Sequence, residues 1–165
     1  MAHPAPHPVA PGQESVWDYP RPPRIEAVDR RVTIEFGGQR IVDTTDVVRV
    51  LETSHPPVYY VPMSAFAEGA LVPARGSSFC EFKGSARYFD VIGGAGTAPG
   101  AAWNYPTPSP GYGLLADRVA VYAGRMDRCT VDGEEVAPQP GGFYGGWVTS
   151  DIAGPFKGEP GTMGW

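Results

Sequence analysis

The stretch RVTIEFGGQRIV, residues 31–42, decides the fold class. Polar and apolar residues alternate from Arg31 to Phe36, which puts Val32, Ile34 and Phe36 on one face of a strand. Gly37–Gly38 then turns the chain into a short partner, Arg40–Val42. The same pattern recurs further along. VYYV at 58–61 is a strand-like run, and Phe79–Phe82 and Arg87–Ile92 are two more strands broken at Gly84. Arg118–Tyr122 and Arg128–Val131 follow, the second ending in the turn dipeptide Asp132–Gly133, and Trp147–Thr149 closes the series. Asp46–Leu51 is the one helix expected. Thr44 or Thr45 can cap it and Asp46 suits its positive end, but His55 precedes Pro56 and keeps it short.

Composition agrees with a β-rich chain. Gly 22 and Pro 19 supply turns, while 42% hydrophobic and 12% aromatic residues are too many for disorder. Its 165 residues suit one domain with its own core. Residues 1–14, MAHPAPHPVAPGQE, have little to bury and are expected as a disordered tail, leaving 15–165 as the β-rich domain. A net charge of −5 without a basic cluster argues against a nucleic-acid partner. No apolar run is long enough to span a membrane, and there is no signal sequence, so a cytoplasmic protein is expected. Two cysteines, Cys80 and Cys129, read as free thiols. With three histidines, they do not make up a zinc site of the Cys-rich type, so no metal and no cofactor is expected. A homodimer is left open.

Two features recur. WDYP at 17–20 returns as WNYP at 103–106, and each precedes a strand ending in Gly, at 37 and at 124. Tyr60 and Phe82–Lys83–Gly84 are echoed by Tyr144 and Phe156–Lys157–Gly158, in the same order. An internal duplication with loops of unequal length is the expectation. The chain has only two lysines, and both lie in these Phe-Lys-Gly triplets, so each position looks specified.

The runs VRVLETSHPPVYYVP (48–62), CEFKGSARYFDV (80–91), AAWNYPTPSP (101–110) and RVAVY through MDRCTVDGE (118–134) resemble the domain-of-unknown-function family 427, over roughly residues 30–136. The flanks, including an aromatic and Gly-rich extension over 137–165, look like those of its bacterial, especially actinobacterial, members. The resemblance implies compact β-tent-like antiparallel sheets. Zinc-binding proteins of that shape use paired Cys-x-x-Cys motifs, which this chain lacks. The family's nucleotidyltransferase-like label implies closely spaced carboxylates for Mg²⁺, and no Asp-x-Asp pair is present. Gly93–Gly94–Ala95–Gly96 lacks the Gly-Lys-Ser/Thr of a phosphate-binding loop.

The residues that bear chemistry cluster in the same runs. Glu52 and His55 are expected to face a shared cleft, able to exchange a proton near neutral pH, with Lys83 holding developing negative charge. The bland alternative has Glu52 bonding loop amides and His55 packed in a turn. Arg49 is a second candidate for an anion, and Tyr60, Tyr88 and Trp103 are candidate aromatic walls. Cys80 and Lys83 would sit on opposite faces of a regular strand, so a contact between them needs a break near Gly84. The leading expectation is a small-molecule pocket, with metal-free acid–base catalysis on a polar or anionic metabolite. A non-catalytic ligand- or peptide-binding module and a partner-docking protein are the alternatives.

Overall fold

A computed structural model describes residues 3–165. Strands hold 45% of the residues and helical turns 7%, so the fold is mainly β. In chain order the strands are β1 (Glu14–Ser15), β2 (Arg24–Val28), β3 (Val32–Phe36), β4 (Gln39–Thr44), β5 (Val47–Leu51), β6 (Val58–Pro62), β7 (Leu71–Cys80) and β8 (Gly84–Gly93). They continue as β9 (Gly96–Asn104), β10 (Arg118–Val121), β11 (Arg128–Val131), β12 (Glu134–Glu135), β13 (Ala137–Pro138), β14 (Trp147–Val148) and β15 (Ile152–Ala153). A seven-stranded sheet runs β2-β5-β6-β10-β9-β8-β7, and a four-stranded sheet runs β12-β11-β3-β4. Every pairing in both is antiparallel. Among the described residues no helix is long and apolar enough to cross a membrane.

Alternation along the strands divides the core in two. Val47 of β5, Tyr59 and Val61 of β6 and Val119 and Val121 of β10 join Val32, Ile34, Val42 and Cys129 of the four-stranded sheet around Trp147. The intervening residues Val48, Val50, Tyr60 and Ala120 pack on the opposite face with Trp103, Tyr105 and Leu115. The seven-stranded sheet is thus apolar on both faces across its centre, as a period of two requires when both sides are buried.

The helix expected over 46–51 is instead β5. Val47, Val48 and Val50 are β-branched and pair in register with Val28, Ala27 and Ile25 of β2. Their preference for a pleated surface outweighs the capping signal at Thr44, whose hydroxyl still accepts from the Asp46 N–H at 3.1 Å. Gly84 opens β8 rather than breaking a strand. The segment read as a strand at 79–82 straddles the end of β7 and the following turn. β7 is an edge strand, where Pro73 and Gly76 are tolerated.

The expected duplication has no counterpart in the topology. Trp17 lies in a single 3-10 turn, Val16–Asp18, and donates its indole N–H to the Pro155 carbonyl at 2.9 Å, whereas Trp103 lies inside β9. The strands that follow them, β3 and β10, belong to different sheets. Of the tail expected to lack structure, residues 1 and 2 lie outside the described part. His7 N–H donates to the Gly154 carbonyl at 2.8 Å, and Glu14 pairs with Ile152 where β1 runs parallel to β15.

The hairpin turn 37–38 also docks the two sheets. Gly37, at φ +63°, sits where a Cβ would fall 1.7 Å from the Gly93 carbonyl oxygen, while Gly38, at φ +79°, faces open space. Gly38→Ala should therefore carry only the left-handed backbone penalty, about 1 kcal/mol. Gly37→Ala should lower stability by at least about 2 kcal/mol more, because backbone must move. Urea denaturation of the two variants checks this, and equal losses would contradict the docking role.

Candidate functional site

The second face of the seven-stranded sheet is covered by loops, and between the two lies a cavity of about 1040 Å³. Val50, Val58, Tyr60, Ala86, Tyr88 and Trp103 form its sheet wall. The turn after β7, the Glu52–His55 turn, the loop 138–146 and Lys157 form the rest.

Glu52, His55, Lys83, Tyr60, Cys80, Tyr88 and Trp103 all line this cavity, as the sequence reading grouped them. Arg49 does not, and its assignment is corrected. In a helix, residues 49 and 52 would share a face; in a strand, Arg49 points to the side opposite Val48 and Val50. There it is buried, with its guanidinium 2.7 Å from both Glu14 and Glu26. A bidentate anion clamp is already occupied by those two carboxylates.

The turn that carries Glu52 and His55 is tight. His55 N–H donates to the Glu52 carbonyl at 3.0 Å, and Ser54 between them is fully buried at φ +72°. A left-handed serine costs about 1 kcal/mol or more, and its hydroxyl has no partner among the described residues. The turn brings the His55 Nε2 to 3.6 Å from a Glu52 carboxylate oxygen, and the same carboxylate lies 3.3 Å from Arg21.

Gln139, only 2% exposed, fixes the state of His55. Its Oε1 accepts from the Gly146 N–H at 3.0 Å, so the amide nitrogen faces the other way. That nitrogen donates to the Lys157 carbonyl at 2.8 Å and to His55 Nδ1 at 3.1 Å. An acceptor at Nδ1 leaves the ring proton on Nε2, toward Glu52. Burial pushes the imidazole down to about 4; Glu52 opposes this, while the charges of Lys157, Arg21 and Lys83 add to it. His55 is therefore a neutral Nε2–H donor at physiological pH. Tyr144 packs edge-on against it, with ring centroids 4.9 Å apart.

The two lysines reach this space from separate elements. Lys83 sits in the β7–β8 turn with its ammonium 5.7 Å from the centre of the Tyr105 ring, and Lys157 lies 5.4 Å from that of Tyr144. Cys80 ends β7, and because a turn follows rather than a regular strand, Cys80 and Lys83 both line the cavity. Trp103 donates its indole N–H to the Tyr60 hydroxyl at 3.2 Å. Gly145 presses the loop onto Trp103 so closely that a Cβ there would fall 2.1 Å from the indole.

Sequence reasoning missed Gln139, Tyr144 and Lys157 as members of the site. The scarcity of lysine was the one available signal for Lys157; a buried glutamine in a Gly-Pro loop leaves none.

The chain belongs to the family described as a domain of unknown function, DUF427, whose model matches residues 24–132. Comparison with curated proteins finds no match. Glu52, His55, Lys83 and Trp103 lie within the matched range, while Gln139, Tyr144 and Lys157 lie beyond it.

The depressed value of His55 has a sign that can be measured. The unfolded chain binds this proton more tightly, so the stability contributed by the neutral ring is full above about pH 6.5 and is lost as pH falls toward 4. Over that window the loss is on the order of 3 kcal/mol. His55→Gln should flatten this part of the profile in urea denaturation from pH 7 to 4. A variant with the same slope as the parent would contradict a buried neutral imidazole.

Proposed function

We propose that this protein binds a small organic anion in the cavity between the seven-stranded sheet and the loop 138–146. One observation carries the reading. A chain of net charge −5 places both of its lysines on one cavity, and neither has an Asp or Glu side chain within ion-pair distance among the described residues. Three cations (Lys83, Arg125 and Lys157) and two carboxylates (Glu52 and Glu81) line the space, so it is locally positive within an acidic molecule. Glu52 is held by Arg21 at 3.3 Å, and Lys157 Nζ donates one hydrogen bond to the Trp165 carbonyl at 3.5 Å, which leaves its other N–H protons for a ligand. A lysine over a tyrosine face keeps its N–H protons available to a ligand. The volume and aromatic walls suit a metabolite-sized molecule. The setting that fits is the cytoplasm, where half-buried Cys80 and buried Cys129 stay as free thiols.

A second reading, acid–base catalysis on the bound anion, is favoured by the 3.6 Å approach of His55 to Glu52 inside the same cavity. The tautomer divides the roles. Glu52 accepts the proton, while the neutral imidazole donates a hydrogen bond and does not act as the base. Lys83 or Lys157 then stabilises negative charge as it develops.

Thermal unfolding against a panel of carboxylates, phosphates and sulfonates, each beside its neutral isostere, tests the binding reading. Anions should raise the Tm, the shifts should shrink as salt is added, and Lys83→Ala and Lys157→Ala should each reduce them. Hits dominated by neutral isosteres, or shifts unchanged in both variants, would refute it. For any anion that is turned over, Glu52→Gln should abolish turnover while leaving a measurable Kd.

A further inference from the structure

The mouth of the cavity carries an arrangement the lysines do not explain. Among the described residues, the only exposed Phe, Tyr or Trp side chains are Phe79 and Phe143, each 76% exposed. Both line this same cavity, although one ends β7 and the other stands in the loop 138–146. Single exposed apolar residues are ordinary on a protein surface, but two phenyl rings brought from distant parts of the chain to one opening are not.

The rings also form a track. His55 packs on Tyr144 at 4.9 Å between centroids, and Tyr144 packs on Phe143 at a further 4.9 Å, nearly perpendicular in both steps. Lys157 lies over Tyr144, so the charged end of the track is inward and the exposed phenyl is outward. Phe79 adjoins Cys80 at the end of β7, with Lys83 in the turn beyond it. Around the cavity both phenyl rings are thus exposed and both lysines partly buried.

From this we propose, resting on the anion-binding reading above, that the ligand class is an elongated organic anion. Its acidic group is held by Lys83 and Lys157, and a flat apolar end rests on Phe79 and Phe143 at the mouth. A short polar anion would leave both phenyl rings in water; an extended one covers them and releases that hydration.

Isothermal titration calorimetry of the full chain with benzoate, biphenyl-4-carboxylate and biphenyl-4-carboxamide tests this. The biphenyl carboxylate should bind at least about tenfold more tightly than benzoate, from the apolar area added. In the Phe79→Ala/Phe143→Ala double variant, which alters only exposed side chains, that ratio should fall below about threefold. Equal affinity of the two carboxylates for the parent, or an unchanged ratio in the double variant, would overturn the elongated-ligand proposal and leave the anion site standing. Carboxamide binding as tightly as the carboxylate, or no binding by any of the three, would instead overturn the anion site and the proposal with it.

Discussion

A sheet that is apolar on both faces must be covered twice, and that constraint organises this molecule. Along β5, β6 and β10 successive residues feed opposite sides, with Tyr59 against Trp147 on one and Tyr60 against Trp103 on the other. The first side is closed by the four-stranded sheet, whose Val32, Ile34 and Val42 fill the space between. Among the described residues no second sheet covers the other side. It is walled by the β7–β8 turn, the Glu52–His55 turn and the loop 138–146, and loops of that kind do not interdigitate with a pleated surface as another sheet would. The cavity follows from this asymmetry.

The polar groups at its inner end stand where burial is expensive, and each is paired in a way that fixes its chemical state. An unpaired buried amide or imidazole loses about 1–3 kcal/mol relative to water. Gln139 avoids that loss by using its oxygen and both amide protons, and in doing so it sets the His55 tautomer and anchors the backbone of Lys157. One side chain thereby ties the loop 138–146 to the Glu52–His55 turn and to the C-terminal segment. Ser54 is the exception, with its left-handed backbone and unpartnered hydroxyl. Strain and an unmet hydrogen bond at the residue joining Glu52 to His55 are tolerated because the neighbouring contacts over-determine the turn.

What was legible in the sequence follows the same physics. Hairpin 31–42, the run 58–61 and the strands near 118 and 128 were readable because their alternation is set by burial against a sheet. The wrongly expected helix over 46–51 arose where a capping signal competed with three valines, and pairing with β2 and β6 decided for the strand. That one change of period also moved Arg49 to the far face, into a pair of salt bridges, so a local error became an error about the site. Strands β2, β7 and β9 were not foreseen. β2 and β7 are edge strands, and β7 and β9 carry prolines and glycines that read as turns until their partners are known. Gln139 was invisible for a related reason. Its importance lies in hydrogen bonds to His55 and Lys157, 84 and 18 residues away, and across its own loop to Gly146, and no local pattern encodes them.

The lysines show how composition can speak where pattern does not. The expected duplication would have made the two Phe-Lys-Gly triplets equivalent positions in two halves, yet one is a hairpin turn of the seven-stranded sheet and the other lies in irregular chain near the C-terminal end. They are related by destination instead. Arginine supplies the remaining cations, and many of these are engaged by carboxylates, as at Arg31 with Asp43 and Arg118 with Asp46. An arginine at 83 or 157 would bring a planar fork suited to such a carboxylate, whereas an ammonium on a flexible stem can rest over a tyrosine ring and turn its protons to whatever enters. Confining lysine to these two places puts two ammonium groups on one cavity of an otherwise acidic protein, neither of them paired with an Asp or Glu side chain among the described residues.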